Sequence, residues 1–125
     1  MTAPSARGDQ DAATLRRAAL SEELSAAMAE LFRALADASR ARIVCALADG
    51  EQTTSELAAL LRMTLPSVSQ HLRLLRTLRI VKPHRDGRLV HYSLDDSHIR
   101  LLVTLTLTHL QEERRLASPT LAGEE

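Results

Sequence analysis

Aromatic residues are almost missing from this sequence: 125 residues contain one Phe, one Tyr and no Trp. Any core must therefore be aliphatic, built from Leu, Val, Ile and Ala. A lean core in a short chain often gains stability from a partner subunit. Cysteine is nearly absent too. Cys45 stands alone, which excludes an internal disulfide framework and a multi-thiolate metal cage and fits a reducing compartment. Cys45 falls on the apolar face of a helical segment and is expected in the core. No apolar run approaches the roughly 18 residues of a membrane span, and no signal peptide opens the chain. A soluble, cytoplasmic protein is expected. Formal net charge is zero, so composition alone does not announce nucleic-acid binding. A Gly-rich phosphate loop is lacking, as is a nucleophile beside a base. Both absences argue against an enzyme, including a small metal-dependent hydrolase, and no small organic substrate is expected.

What remains is one domain's worth of chain, 45% apolar. Residues 1–14 are small, polar and interrupted by Pro4 and Gly8, and are expected to be a disordered tail. Residues 118–125 read the same way, leaving a domain over 15–117. Helical patterns dominate it. Leu20, Leu24, Met28, Leu31 and Leu35 recur at spacings of four and three and predict one apolar stripe on a first helix. Asp37 can cap a second helix with Ile43, Val44 and Leu47 inward, ended by Gly50 in a left-handed conformation. Thr53 and Glu56 form a capping box for a helix burying Leu57, Leu60 and Leu61. After a break at Arg62-Met63, Thr64 caps the next helix, with Pro66 in its first turn and Val68, Leu72 and Leu75 inward. Two helices joined by so short a turn have the shape of a helix-turn-helix.

The period then changes from helix to strand. Ile80–Lys82 and Leu89–Ser93 are β-prone, and Asp86-Gly87 between them is a hairpin signal. Pro83 predicts that the first arm is short or at an edge. A last helix starts at Asp95-Asp96, with Ile99, Leu102, Leu105 or Thr106, and Leu110 on one side. The predicted fold class is mainly α with a β-hairpin wing, a winged helix-turn-helix.

Charge is uneven despite the zero total. From Arg62 to His91 there are seven basic residues, Arg62, Arg73, Arg76, Arg79, Lys82, Arg85 and Arg88, against one acid, Asp86. A polyanion needs such a local basic surface. In the helix after Thr64, Ser67, Ser69, Gln70, His71 and Arg73 project away from the apolar stripe. Hydroxyls suit phosphates, and Gln and Arg can contact base edges in the major groove. Arg85 and Arg88 flank the hairpin tip and can reach phosphates or the minor groove. Double-stranded DNA is the expected partner.

The last helix carries Asp96, His98, His109 and Glu112, all ordinary zinc donors. His98 and His109 are close to three turns apart and share a face, yet at the helical rise they stand about 16 Å apart. One helix cannot bring both to one ion. Two helices packed antiparallel in a homodimer can, making two equal sites of two imidazoles and two carboxylates each.

From Leu31 to about Arg115 the sequence resembles the ArsR/SmtB family of metal-sensing winged-helix repressors. The likeness rests on LFRALADASRARIVCAL, TSELAALL, PSVSQHLRLLRTLRIVKPHRDGRLVHYSL and the final helix. Asp96-x-His98 followed by His109-x-x-Glu112 looks like the last-helix site of the family's zinc sensors. The resemblance implies that Asp96 and His98 bind zinc together with His109 and Glu112 of the other subunit. It also implies an apo homodimer on an inverted-repeat operator, released by the metal, with the first and last helices at the dimer interface. Cobalt, nickel or a non-metal signal are the alternatives. Members that sense arsenic or cadmium carry cysteines where this sequence reads Thr53-Thr54-Ser55-Glu56, so that thiolate site is absent. Ala38-Ser39-Arg40 replaces the common Pro-Thr-Arg. His84 and His91 fall outside the ligand pattern and are expected to be ordinary wing residues.

Overall fold

The computed structural model describes residues 4–117, with side chains from residue 11 onward. It divides into two units, residues 1–36 and 37–125. The first unit holds α1 (Pro4–Leu20) and α2 (Glu22–Leu35). Residues 4–14, expected as a tail, are thus helical: Pro4 takes the first helical position, where its missing N–H costs little, and alanines run through the segment. Residues 118–125 lie outside the described residues.

The apolar stripe expected on one helix is divided between two. Ser21 is extended and its Oγ accepts from the Leu24 N–H at 3.1 Å, so a new helix starts there. Ser25 Oγ donates to the Ala18 carbonyl at 2.9 Å, which satisfies an end carbonyl of α1. Leu20, Leu24 and Met28 are exposed on the single chain.

The second unit contains α3 (Ala38–Asp49), β1 (Gln52–Thr53), α4 (Thr54–Leu61), α5 (Leu65–Thr77), β2 (Val81–Asp86), β3 (Leu89–Leu94) and α6 (Ser97–Ala117). Its core is aliphatic: Ile43, Val44 and Leu47 from α3, Leu57 and Leu61 from α4, Val68, Leu72 and Leu75 from α5, then Ile80, Val81, Leu94 and Val103. Leu60 departs from expectation and is 60% exposed, because α4 has room for only one inward stripe in its eight residues. Cys45 is half-buried. Of the apolar positions expected on one side of α6, Ile99 and Leu102 are half-buried and Leu105 and Leu110 exposed, while Val103, not among those expected, is buried. Among the described residues no helix is long and apolar enough to cross a membrane.

Local chemistry sets the boundaries. Asp37 accepts from the Arg40 N–H at 3.0 Å and caps α3. Its carboxyl is held below the usual carboxylate range, first by that hydrogen bond and then by the Arg40 charge. Gly50 ends α3 with φ 161, an extended conformation and not the left-handed one expected, because the chain passes directly into β1. The Thr53–Glu56 capping box is complete, with Thr53 N–H donating to Glu56 at 2.8 Å and Glu56 N–H to Thr53 Oγ1 at 3.1 Å. The α4–α5 turn is closed by Arg62 in the left-handed region, φ 57, and by the Met63 N–H donating to the Ala58 carbonyl at 2.9 Å, a Schellman arrangement. Arg79 repeats it after α5, with φ 60 and the Ile80 N–H on the Leu75 carbonyl at 2.8 Å.

The three strands form an antiparallel sheet in the order β1-β3-β2. Pro83 lies in β2, an edge strand, where no ladder partner needs its missing N–H. Asp86 pairs with Leu89, so Gly87 and Arg88 are the two loop residues. Gly87 has φ +65 at the first loop position, as a type II′ turn requires. The sequence signal does not foresee β1, which is only two residues long and exists by pairing Gln52 with Tyr92 and Thr53 with His91.

Candidate functional site

Helix α5 is placed by its cap and its core stripe. Thr64 Oγ1 accepts from the Ser67 N–H at 3.2 Å, and Pro66 sits in the first turn. With Val68, Leu72 and Leu75 inward, Ser69, Gln70 and Arg73 are fully exposed on the opposite face, while Ser67 and His71 lie half-buried at its sides. His71 is partly engaged: Arg40 Nη1 approaches its Nδ1 at 3.4 Å. A guanidinium only donates, so the tautomer that fits keeps its proton on Nε2. Arg85 near the end of β2 and Arg88 in the turn are exposed at the tip of the β-arm.

Between α5 and the arm lies a cleft of about 290 Å³ lined by Arg76, Pro83, Arg85, Val90 and Tyr92. Arg76 is one of the basic residues of this stretch, but no local sequence signal singles out Arg76 or Tyr92. Only the pairing of β2 with β3 shows that Tyr92, opposite Pro83, faces Arg76 with Arg85. Two guanidiniums around one cleft suit a phosphate oxygen.

The donors on α6 fall into two pairs. Asp96 Oδ1 accepts from the Ile99 N–H at 3.0 Å and caps the helix. Its Oδ2 stands 3.7 Å from His98 Nδ1. The Ile99 hydrogen bond, with His98 nearby, lowers the Asp96 pKa below the usual carboxylate value. The oxygen that does not cap the helix is the one turned toward His98. His98 is 89% exposed and Asp96 50%. His109 and Glu112, one turn apart near the other end, are exposed as well. Among the described residues no three His, Cys, Asp or Glu side chains are placed to hold one metal ion within one chain. The two pairs are separated by about 16 Å of helix.

Two arginines outside both clusters hold the helices. Arg42 Nη2 donates to the Leu61 carbonyl at 2.9 Å, across the end of α4. Arg100 Nη1 donates to the Ala48 carbonyl and ties α6 to the end of α3. Their partners are 19 and 52 residues away, beyond any local sequence signal.

A helix pair with a tight turn, a capped second helix and a two-stranded arm after it make this a winged helix-turn-helix protein. Residues 37–82 match the family described as bacterial regulatory protein, arsR family. The transcriptional repressor SmtB homolog of Synechocystis sp. is 48% identical over 85 residues, covering 68% of this chain and 64% of that protein. The cadmium resistance transcriptional regulatory protein CadC homolog of Staphylococcus aureus is 38% identical, covering 68% and 71% respectively. Among solved structures, the homodimeric winged helix-turn-helix DNA-binding domain Mb0332 of Mycobacterium bovis superposes with a TM-score of 0.70, at 27% identity, over 80% of this chain and 89% of that one. The chain belongs to the ArsR/SmtB family of winged-helix regulators. Its matched segment spans slightly less than two thirds of the Synechocystis relative.

Proposed function

We propose that this chain is a metal-responsive transcriptional repressor. Its homodimer binds an inverted-repeat operator and is released by zinc held across the two last helices. The observation that carries the metal half is the division of the α6 donors into two exposed pairs at opposite ends of one helix. Asp96 and His98 of one copy, with His109 and Glu112 of a second, would hold the ion. The donor set fits: two imidazoles and two carboxylates balance a divalent charge, and Asp96 keeps Oδ2 available while Oδ1 caps the helix. An ion held there supplies a tie between the two last helices. The exposed Leu101 and Leu105 between the pairs favour an α6 contact between copies.

The DNA half rests on α5 and the arm. Ser69, Gln70 and Arg73 would meet base edges and phosphates in the major groove, with Ser67 and His71 at the margin. Arg85 and Arg88 would grip the backbone beside them. In a dimer the two α5 helices must match successive major grooves, roughly 34 Å apart. A metal-bound dimer held at another spacing loses that match. Complete switching needs about 5.5 kcal/mol of differential affinity, and the coupling is reciprocal.

Fluorescence anisotropy of a labelled duplex from upstream of the gene, at fixed salt, with zinc and then chelator, tests this. Zinc should weaken binding at least about tenfold, a coupling of about 1.4 kcal/mol. His109→Ala should keep DNA binding and lose the zinc effect, whereas Arg73→Ala should weaken DNA binding and keep zinc stoichiometry. Equal release by zinc in the His109→Ala protein would refute the site. The alternative metals are cobalt and nickel, which the same oxygen and nitrogen donors accept. Nickel's preference for more ligands than four separates them in the absorption spectrum of the cobalt- or nickel-loaded protein.

A further inference from the structure

The sheet of the wing carries a second pair of histidines. His84 on β2 lies directly opposite His91 on β3, so both imidazoles stand on the same face of the ribbon. Their ring centroids are 6.3 Å apart, with the planes tilted by 41°. Glu51, just before β1, brings its Oε2 to 3.8 Å from His84 Nδ1. Three segments, brought together by the sheet order β1-β3-β2, thus converge across one face. The His84 side is open to solvent, with 62% exposure for His84 and 48% for Glu51.

We infer that His84 and His91 form a divalent-cation site of their own in the wing, separate from the donors on α6, with Glu51 as the carboxylate that orients His84. Two imidazoles on one zinc, with Zn–N about 2.0 Å, bring their ring centroids to about 5 Å. The pair must therefore close by about 1 Å, which small side-chain rotations provide on an exposed ribbon. Brought from 3.8 Å into hydrogen-bond distance of Nδ1, the Glu51 carboxylate would fix the tautomer that leaves Nε2 for the metal and raise its basicity. Since no group of three such donors is placed to hold an ion among the described residues, water would complete the shell. The affinity should accordingly be weaker than at a four-ligand site. Lys82 and Asp86 share the face on either side of His84, so their charges offset each other. An ion there links β2 to β3 in the arm that carries Arg85 and Arg88. The inference does not depend on the proposed α6 site.

Zinc chloride titrated calorimetrically into the full chain carrying His98→Ala and His109→Ala reads this site without the other. We expect micromolar uptake in that background. Adding His84→Gln or His91→Gln should weaken it at least about tenfold, and Glu51→Gln by about tenfold. Circular dichroism confirms that each variant is folded. In the unmodified chain, zinc should move the imidazole resonances of His84 and His91 together, a readout that needs no variant. Absence of uptake up to about 1 mM free zinc, or uptake that survives replacement of both wing histidines, overturns the site. Unchanged affinity in the Glu51→Gln variant overturns the carboxylate's part in it.

Discussion

Replacing Arg42 by Met should destabilise the second unit without touching its core. Arg42 Nη2 donates to the Leu61 carbonyl at 2.9 Å. Leu61 ends α4, so its carbonyl is among the four that the helix leaves unpaired. A charged donor makes this bond stronger than a neutral one, about 1.5–3 kcal/mol where it is well buried. The pair is only partly buried, and water can replace the guanidinium, so about 1–1.5 kcal/mol is expected. For a domain of this size that is a fall of about 5–10 °C in melting temperature. Thermal unfolding by circular dichroism at fixed chain concentration measures it, since association of chains would make the midpoint concentration-dependent. Arg42→Lys keeps the charge but not the forked geometry and should fall between Met and the original residue. A change below about 1 °C for Arg42→Met would refute the assignment and mean that solvent satisfies Leu61 equally well.

Two further outcomes follow from the backbone and from one cap. Gly87→Ala places a side chain at φ +65, where nothing lies within 4 Å of the new Cβ. The cost is therefore one of backbone conformation, about 1–2 kcal/mol, read as a lower urea midpoint with faster amide exchange in β2 and β3; unchanged exchange there would contradict the type II′ turn. Asp37 has a lowered pKa in the folded chain because the Arg40 N–H donates to it. Its contribution is therefore present above the ordinary carboxylate pKa and is lost as pH falls through the depressed folded value. Asp37→Asn still caps α3 but cannot titrate, so its urea midpoint should decline less steeply below about pH 4; parallel profiles for the two proteins would show that the cap is not the titrating element.

Most of the second unit was legible because its signals are local. Thr53 with Glu56, Thr64 with Pro66, and Asp86-Gly87 each act within four residues, and the structure uses each at the element expected. The separation of the four donors proposed on α6 follows from their spacing alone, since spacing along a helix converts directly into distance. The misses have the opposite character. The periodic apolar residues run through Ser21, and nothing in them shows that its hydroxyl turns back to cap a new helix. The strand β1 has no identity without β3. The positions of Arg42, Arg100, Arg76 and Tyr92 depend on partners far along the chain, as does the meeting of His84, His91 and Glu51.

Those non-local arginine contacts bear on how one end of the unit can influence the other. Arg100 lies two residues after His98 in α6 and holds the Ala48 carbonyl at the end of α3. Arg42, within α3, holds the end of α4. Arg40, at the start of α3, meets His71 on α5. Helices α4, α5 and α6 are thus each tied to α3 by a guanidinium group, and α3 buries Ile43, Val44 and Leu47. The contacts between α6 near Asp96 and His98 and helix α5 thus run through α3 and its buried face. The wing, joined through β3 to both α3 and α6, has its own connection to the same helices. Under the proposed function, these contacts would give the last helix a path to α5 within one chain.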